Sequence, residues 1–148
     1  MGTPTDIVIA ATALAACIVL GGGIYETVVV DPRWPRRPGI IQERNGGIVR
    51  RRFWIPAHAA FEVLLVASLI LSFGDAPVRN AVLVALVSHA VMRIWSFLDF
   101  IPKALEFERT DPADVDVQAA VAWTRRSRWR LPLDAIACVA LLTALALA

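Results

Sequence analysis

Charge is scarce in this chain of 148 residues: only 19% are Asp, Glu, Lys or Arg, against 57% hydrophobic. A soluble domain of this length needs more polar surface to cover its core. Cysteine is just as sparse. Cys17 and Cys138 each sit inside an apolar run, with no CxxC and no zinc spacing. That excludes a disulfide framework and a structural zinc site, and leaves two small buried residues. A phosphate-binding loop, a GxSxG elbow and an HExxH helix are all missing, which removes the commonest signatures of soluble nucleotide, ester and peptide chemistry. Met1 to Asp6 holds no Lys or Arg. The first apolar run therefore does not open as a secretory signal does, and it reads as a retained helix.

What the chain has instead is long apolar runs. Four of them, at about 7–30, 53–73, 78–101 and 131–148, are near the length of about 20 helical residues that crosses a bilayer. None alternates in the manner of a strand. Only helices and closed barrels satisfy their backbone in lipid. The expectation is an all-α integral membrane four-helix bundle in a single domain, residues 1–148, lodged as a multi-pass protein in the cell membrane.

Placement of the basic residues orients it. Seven of the 15 Lys and Arg lie between Asp31 and Arg52 and six between Lys103 and Arg130, leaving only Arg79 and Arg93 elsewhere. Basic loops stay in the cytoplasm, so loops one and three are expected inside and both termini outside.

The connections carry their own signals. Gly21, Gly22 and Gly23 permit close helix packing. Pro32, Pro35 and Pro38 predict an extended exit from helix one, with Trp34 at the membrane interface. Asn45-Gly46-Gly47 reads as a turn, and Arg50, Arg51 and Arg52 as topological anchors. Gly74 to Pro77 makes a tight turn that forces helices two and three to be antiparallel neighbours. Pro102 marks the end of helix three. Asp111-Pro112 reads as a helix start. It predicts a helix over about 113–130 that lies at the surface or extends helix four, anchored by Trp123 and Trp129 and kinked near Pro132.

Ionisable groups inside such helices cost about 2.5–3.5 kcal/mol each at mid-span, so each needs a partner or a wet cavity. Counting about 1.5 Å per residue from the predicted inner helix ends puts Glu26 about 6 Å deep, His58 about 8 Å, Arg93 about 12 Å, Glu62 about 14 Å and His89 about 18 Å. Asp99 and Asp134 fall close to the inner interface. All lie in one half of the span, which points to one polar pocket. His58 and Glu62 share a helix face, as do His89, Arg93 and Ser96. Glu62 and Arg93 are expected to pair across helices two and three, with Glu26 joining Arg93 or His58. Tyr25, Glu26, His89 and Trp95 are candidate ligand-binding residues, with Phe61 and Met92 as further apolar lining.

In chemical terms, His58 is a candidate base, since neutral imidazole titrates near working pH. Glu62 would orient it, and Arg93 would stabilise a developing oxyanion. His58, Glu62 and His89 also supply the two imidazoles and one carboxylate of a transition-metal site. The cofactor is thus either none or a transition metal ion. The partners are the lipid bilayer and a small hydrophobic molecule, with no nucleic acid. Ala135, Ala144 and Ala148 offer a small-residue face to a second copy or another subunit. A network that merely fixes helix register is the structural alternative to a pocket with chemistry. A binder or carrier of a hydrophobic ligand, or an accessory subunit, is the alternative to an enzyme.

Several short motifs together resemble the anthrone-oxygenase-like family of small four-helix membrane proteins. They are Gly23-Ile24-Tyr25-Glu26, Pro32-Arg33-Trp34, Phe53-Trp54-Ile55-Pro56, Phe100-Ile101-Pro102 and the stretch from Trp123 to Arg130. This resemblance implies a membrane-embedded oxygenase acting on a small hydrophobic, aromatic compound. Ala57 to Glu62 is also similar to the helix-two motif of the membrane glutathione-transferase family. Ala60, however, stands where that family has Asn, which argues against glutathione.

Overall fold

The computed structural model describes residues 3–148, and among these there are helices and turns but no strand. Four helices are long and apolar enough to cross a membrane: α1 (Pro4–Val30), α2 (Arg51–Leu71), α3 (Ala76–Arg109) and α4 (Val117–Leu147). The chain has the architecture of a multi-pass membrane protein. Its large apolar side chains also point outward, Ile7, Leu14, Val63, Ile70, Val87 and Val139 among them, each more than 60% exposed. Such a surface suits lipid and not water.

Each helix starts for a local reason. Thr3 caps α1 in a reciprocal box: its Oγ1 accepts from Asp6 N–H at 3.2 Å and its own N–H donates to Asp6 Oδ2 at 2.6 Å, with Pro4 at the first helical position. Asp75 caps α3 by accepting from Val78 N–H. Asp116 caps α4 by accepting from the N–H groups of Gln118 and Ala119. Asp111 caps only the short 3-10 turn Pro112–Asp114, so the helix expected from residue 113 begins at Val117 and runs into the last span. Where a kink was expected near Pro132, a tightened 3-10 turn, Arg128–Arg130, precedes Leu131 and Pro132. It absorbs the proline without breaking the rod.

Pro102 does not end helix three. The helix widens into a π turn at Ser96–Phe100 and continues as α-helix from Ile101 to Arg109. A proline inside a helix lacks the N–H that would reach back four residues. A π turn just before it has already broken that ladder, and Pro102 sits in the first turn of the segment that follows. α1 ends on a similar π turn, Glu26–Val30. Both widened turns lie at the arginine-rich end of the bundle.

Two cores result. The first joins Ile9, Ala13, Ala16 and Val19 of α1, Phe61 and Leu65 of α2, Val78, Val82 and Ala85 of α3, and Ala137, Cys138, Leu141 and Ala144 of α4. α4 packs on both α1 and α3, while α2 and α3, although consecutive, touch each other far less than α2 touches α1. Ala144 is wholly buried in this core. The small-residue face expected to be free for a partner is therefore spent inside the bundle at that position. Among the clustered glycines, Gly22 packs on the Phe53 ring and Gly23 on Leu131, too closely for a Cβ, whereas Gly21 faces open space.

The second core is aromatic and built at the arginine-rich end from Trp34, Phe100, Phe107, Trp123, Ile41 and Val115. Here the loop after α1 departs from expectation. It is not extended but folds into 3-10 turns at Trp34–Arg36 and Pro38–Ile41. Trp34 is 0% exposed, not interfacial. Its indole N–H donates to Asp31 Oδ1 at 3.0 Å, and its ring lies 5.2 Å from Phe107 and 5.8 Å from Trp123. The loop can fold back because Gly46 adopts φ 76° and Gly47 lies where any Cβ would stand 2.1 Å from the Gly39 carbonyl oxygen. Trp123 is buried with Trp34, and only Trp129, at 69% exposed, remains free to meet an interface.

Candidate functional site

The polar groups of α2 and α3 meet where these two helices part. Side chains in a helix lean toward its N-terminus. The two helices run antiparallel, so Glu62 leans toward the arginine-rich end and Arg93 leans away from it, and they converge. Arg93 Nε donates to Glu62 Oε1 at 2.7 Å. The same oxygen lies 3.4 Å from His89 Nε2. His89 is buried, with its ring edge-on to Phe61 at 4.6 Å, and the Arg93 guanidinium lies 4.5 Å over Phe97.

His58 sits beside this group. It stacks on Trp54, one turn earlier, at 5.4 Å and 21°, and its ring centroid is 5.7 Å from that of His89. Depths counted from the predicted inner ends placed the two imidazoles on different levels. The tight turn between α2 and α3 sets the register instead: His58 precedes Ser72 by 14 residues and His89 follows Asp75 by 14. Among the described residues His58 Nδ1 and His89 Nδ1 are buried with no hydrogen-bond partner.

One donor atom from each of His58, Glu62 and His89 lies within 4.8 Å of the others. By residue type and convergence this set fits a first-row transition metal ion. Arg93 already neutralises Oε1, so an ion there must bind through Oε2 or displace the guanidinium.

A cavity of about 190 Å³ opens from the arginine-rich end and reaches His58 and Arg93 at its deep side. Met92, Phe100, Trp123 and Leu131 supply apolar wall, and Arg50, Arg130 and Asp134 polar wall. Both π turns contribute, through Glu26 and Thr27 of α1 and Ser96 of α3. At the mouth Glu26 does not join Arg93 or His58. It accepts from Arg50 Nη1 and Trp54 Nε1, each at 2.9 Å, while Arg50 Nη2 donates to Glu108 Oε1 at 2.8 Å. Burial works against the Arg50 charge, but Glu26 and Glu108 outweigh it and hold the guanidinium above its ordinary value. Asp31 lines the same mouth. Burial first, and then the nearby Glu26, push its carboxyl up to about 6.

Of the candidate residues, His58, Glu62, His89 and Arg93 are thus brought together. Glu62 bonds Arg93 and faces His89; no hydrogen bond runs from it to His58 among the described residues. Tyr25 is 58% exposed on the outer surface of α1 and lies off the cavity wall. Trp95 packs on Phe100, 5.2 Å between centroids, behind that wall. Arg50, Trp54 and Arg130 are site residues that patterning missed. A signal for two of them existed: Arg50, Trp54, His58 and Glu62 recur every four residues on one helical stripe. Only Arg50 of its basic triplet turns inward, with its side chain 10% exposed against 67% and 79% for Arg51 and Arg52.

Comparison of the chain with known protein families, with characterised proteins and with solved structures finds no match.

Proposed function

We propose that this chain is a membrane-embedded oxygenase that draws a small hydrophobic, aromatic compound into the cavity between α1, α2, α3 and α4. The observation that carries this reading is His58. It lines a cavity of about 190 Å³ together with Arg93, and its ring makes no hydrogen bond among the described residues. An imidazole free of hydrogen bonds beside a guanidinium is a base next to an oxyanion site.

The chemistry that suits this pair begins with a C–H group activated by a neighbouring carbonyl. His58 takes the proton. Arg93, anchored through Nε to Glu62, turns its remaining N–H groups to the enolate oxygen. The carbanion passes its electrons to dioxygen, and the resulting C–O–OH adduct, protonated from His58, loses water to leave a ketone. The sum is CH2 plus O2 giving C=O plus H2O. Anthrones, which the motif resemblance suggests, are acidic enough for such a base. Glu62 here holds Arg93 in place and does not orient His58.

Oxygen uptake by the purified protein with an anthrone tests the reading. His58→Ala and Arg93→Ala are expected to lower turnover by about 100-fold or more. Full activity in both variants rejects it. A chelator abolishes activity only if a metal on His58, Glu62 and His89 takes part.

We further infer a cell-membrane location with the arginine-rich end in the cytoplasm and both termini outside. Thirteen of the 15 basic residues gather at that end. Arg79→Cys is expected to react with an impermeant thiol reagent on intact cells, and Arg44→Cys only after permeabilisation. The reverse pattern inverts the topology.

A further inference from the structure

The guanidinium groups that reach the interior of the bundle are held by carboxylates, with one exception. Arg50 has Glu26 and Glu108, and Arg93 has Glu62. Among the described residues Arg130 makes no ion pair within 4 Å, and Glu26, Asp134 and Asp31 act on it only from further away. Its donors go to neutral oxygens: Ser127 Oγ at 2.6 Å, Ser96 Oγ at 3.1 Å and the Ser127 carbonyl at 3.4 Å. Its Cζ lies 4.5 Å from the centre of the Phe100 ring. These contacts solvate the cation and fix its direction, but they do not neutralise it. A charge left so in a low-dielectric interior costs several kcal/mol unless an anion completes it.

The surroundings say what kind of anion. Arg130 faces the cavity, and so does buried Asp134, one turn further along α4, which sits beside an anion there only as the neutral acid, with its O–H as a donor. A planar fork of donors beside an aromatic ring matches a carboxylate or an ionised phenol or enol. Trp123, Phe100, Met92 and Leu131 line the same space with flat or apolar surface. At about 190 Å³ the cavity exceeds the roughly 150 Å³ that holds a benzene, and it is open at its mouth, so a body of fused rings fits.

We propose that the cavity is selective for a hydrophobic anion, an aromatic body of fused rings whose single anionic oxygen group seats on Arg130. This rests on the reading of the cavity as the substrate site and narrows its substrate from a hydrophobic compound to an acidic one. Arg93, already paired with Glu62, is left to the oxygen on which charge develops only during the reaction.

The test is equilibrium dialysis of the full chain in neutral-detergent micelles, against protein-free micelles, with 1-naphthoate and its uncharged isostere 1-naphthamide. Wild-type protein is expected to bind the naphthoate at least about tenfold more tightly, and Arg130→Gln to erase that preference, a change of about 10- to 100-fold. Equal affinities in the wild type, binding of neither probe, or a preference that survives in Arg130→Gln overturns the proposal. The wild-type comparison needs no variant, so a poorly folding Arg130→Gln does not protect the idea. Turnover measured in parallel separates the two readings. Anion preference without oxygen uptake leaves the site and ends the oxygenase. Uptake with neutral and anionic compounds used alike does the reverse.

Discussion

The two ends of this bundle are held together by different physics. At the end bearing the termini and the Ser72–Asp75 turn, the core is aliphatic and small, with Ala13, Ala16, Ala137 and Ala144 letting the helices approach. Its polar content there is modest: Thr12 Oγ1 pairs with Ser68 Oγ at 2.7 Å and with the Leu64 carbonyl at 3.1 Å. At the arginine-rich end four large aromatic rings form the core, and ion pairs between two helices and the end of the folded loop close over it. The first arrangement is what close packing in lipid produces, where helices gain no hydrophobic attraction for one another. The second resembles the interior of a water-soluble domain, with tryptophans sequestered and carboxylates paired. The cavity lies at the junction, where π turns widen two of the helices. The comparison teaches that one half of the chain packs as lipid-embedded helices do, while the other encloses the cavity.

The difference is sharpest at the tryptophans. Trp34→Ala removes a ring that is 0% exposed and is expected to cost about 3–5 kcal/mol. Trp129→Ala, with 69% of its residue exposed, should stay within about 0.5 kcal/mol in detergent. Similar thermal-unfolding shifts for the two would show that the aromatic core is not what holds the arginine-rich end.

A smaller effect is expected at the junction. Glu62→Ala leaves Arg93 without its carboxylate. The loss should sit near the low end for a broken buried pair, about 3 kcal/mol, because the Glu62 side chain is 43% exposed. Glu106→Ala removes only an exposed pair with Lys103, worth about 0–1 kcal/mol. Equal losses in urea or heat titrations would mean that the mid-span pair contributes no more than a surface contact.

Asp31 marks the arginine-rich end by its pH dependence. Burial raises its carboxyl from 3.8 to about 6, so the native state holds the proton more tightly than the unfolded chain. Wild-type stability should therefore fall as pH rises from about 4 to about 6, and stay level above that. Asp31→Asn keeps an acceptor for the Trp34 indole and removes this loss. Near pH 7 it should be more stable by about 2 kcal/mol, and near pH 3.5 about equal. A variant less stable than wild type at pH 7 would show that Asp31 is held ionised. At the opposite end, a double-mutant cycle of Thr12→Val and Ser68→Ala should give a coupling of only about 0.6 kcal/mol. A coupling above 2 kcal/mol would contradict the view that packing, not polar contact, holds that half.

The sequence by itself determined the four spans, the tight turn between the second and third helices, and the meeting of His58, Glu62, His89 and Arg93. Span length and hydropathy are sums over one helix, and two helices joined by a short turn have little freedom in how their polar stripes meet. Other features depended on residues far apart in the chain. Three adjacent arginines look alike until Glu26 and Glu108, 24 and 58 residues from Arg50, select the one that turns inward. Trp34 looks interfacial until Phe107 and Trp123 enclose it. Proline at position 102 looks like a helix end until a π turn removes the bond it would have broken. That Arg130 makes no ion pair among the described residues depends on where Glu26, Asp31 and Asp134 come to lie, and only the tertiary structure decides that.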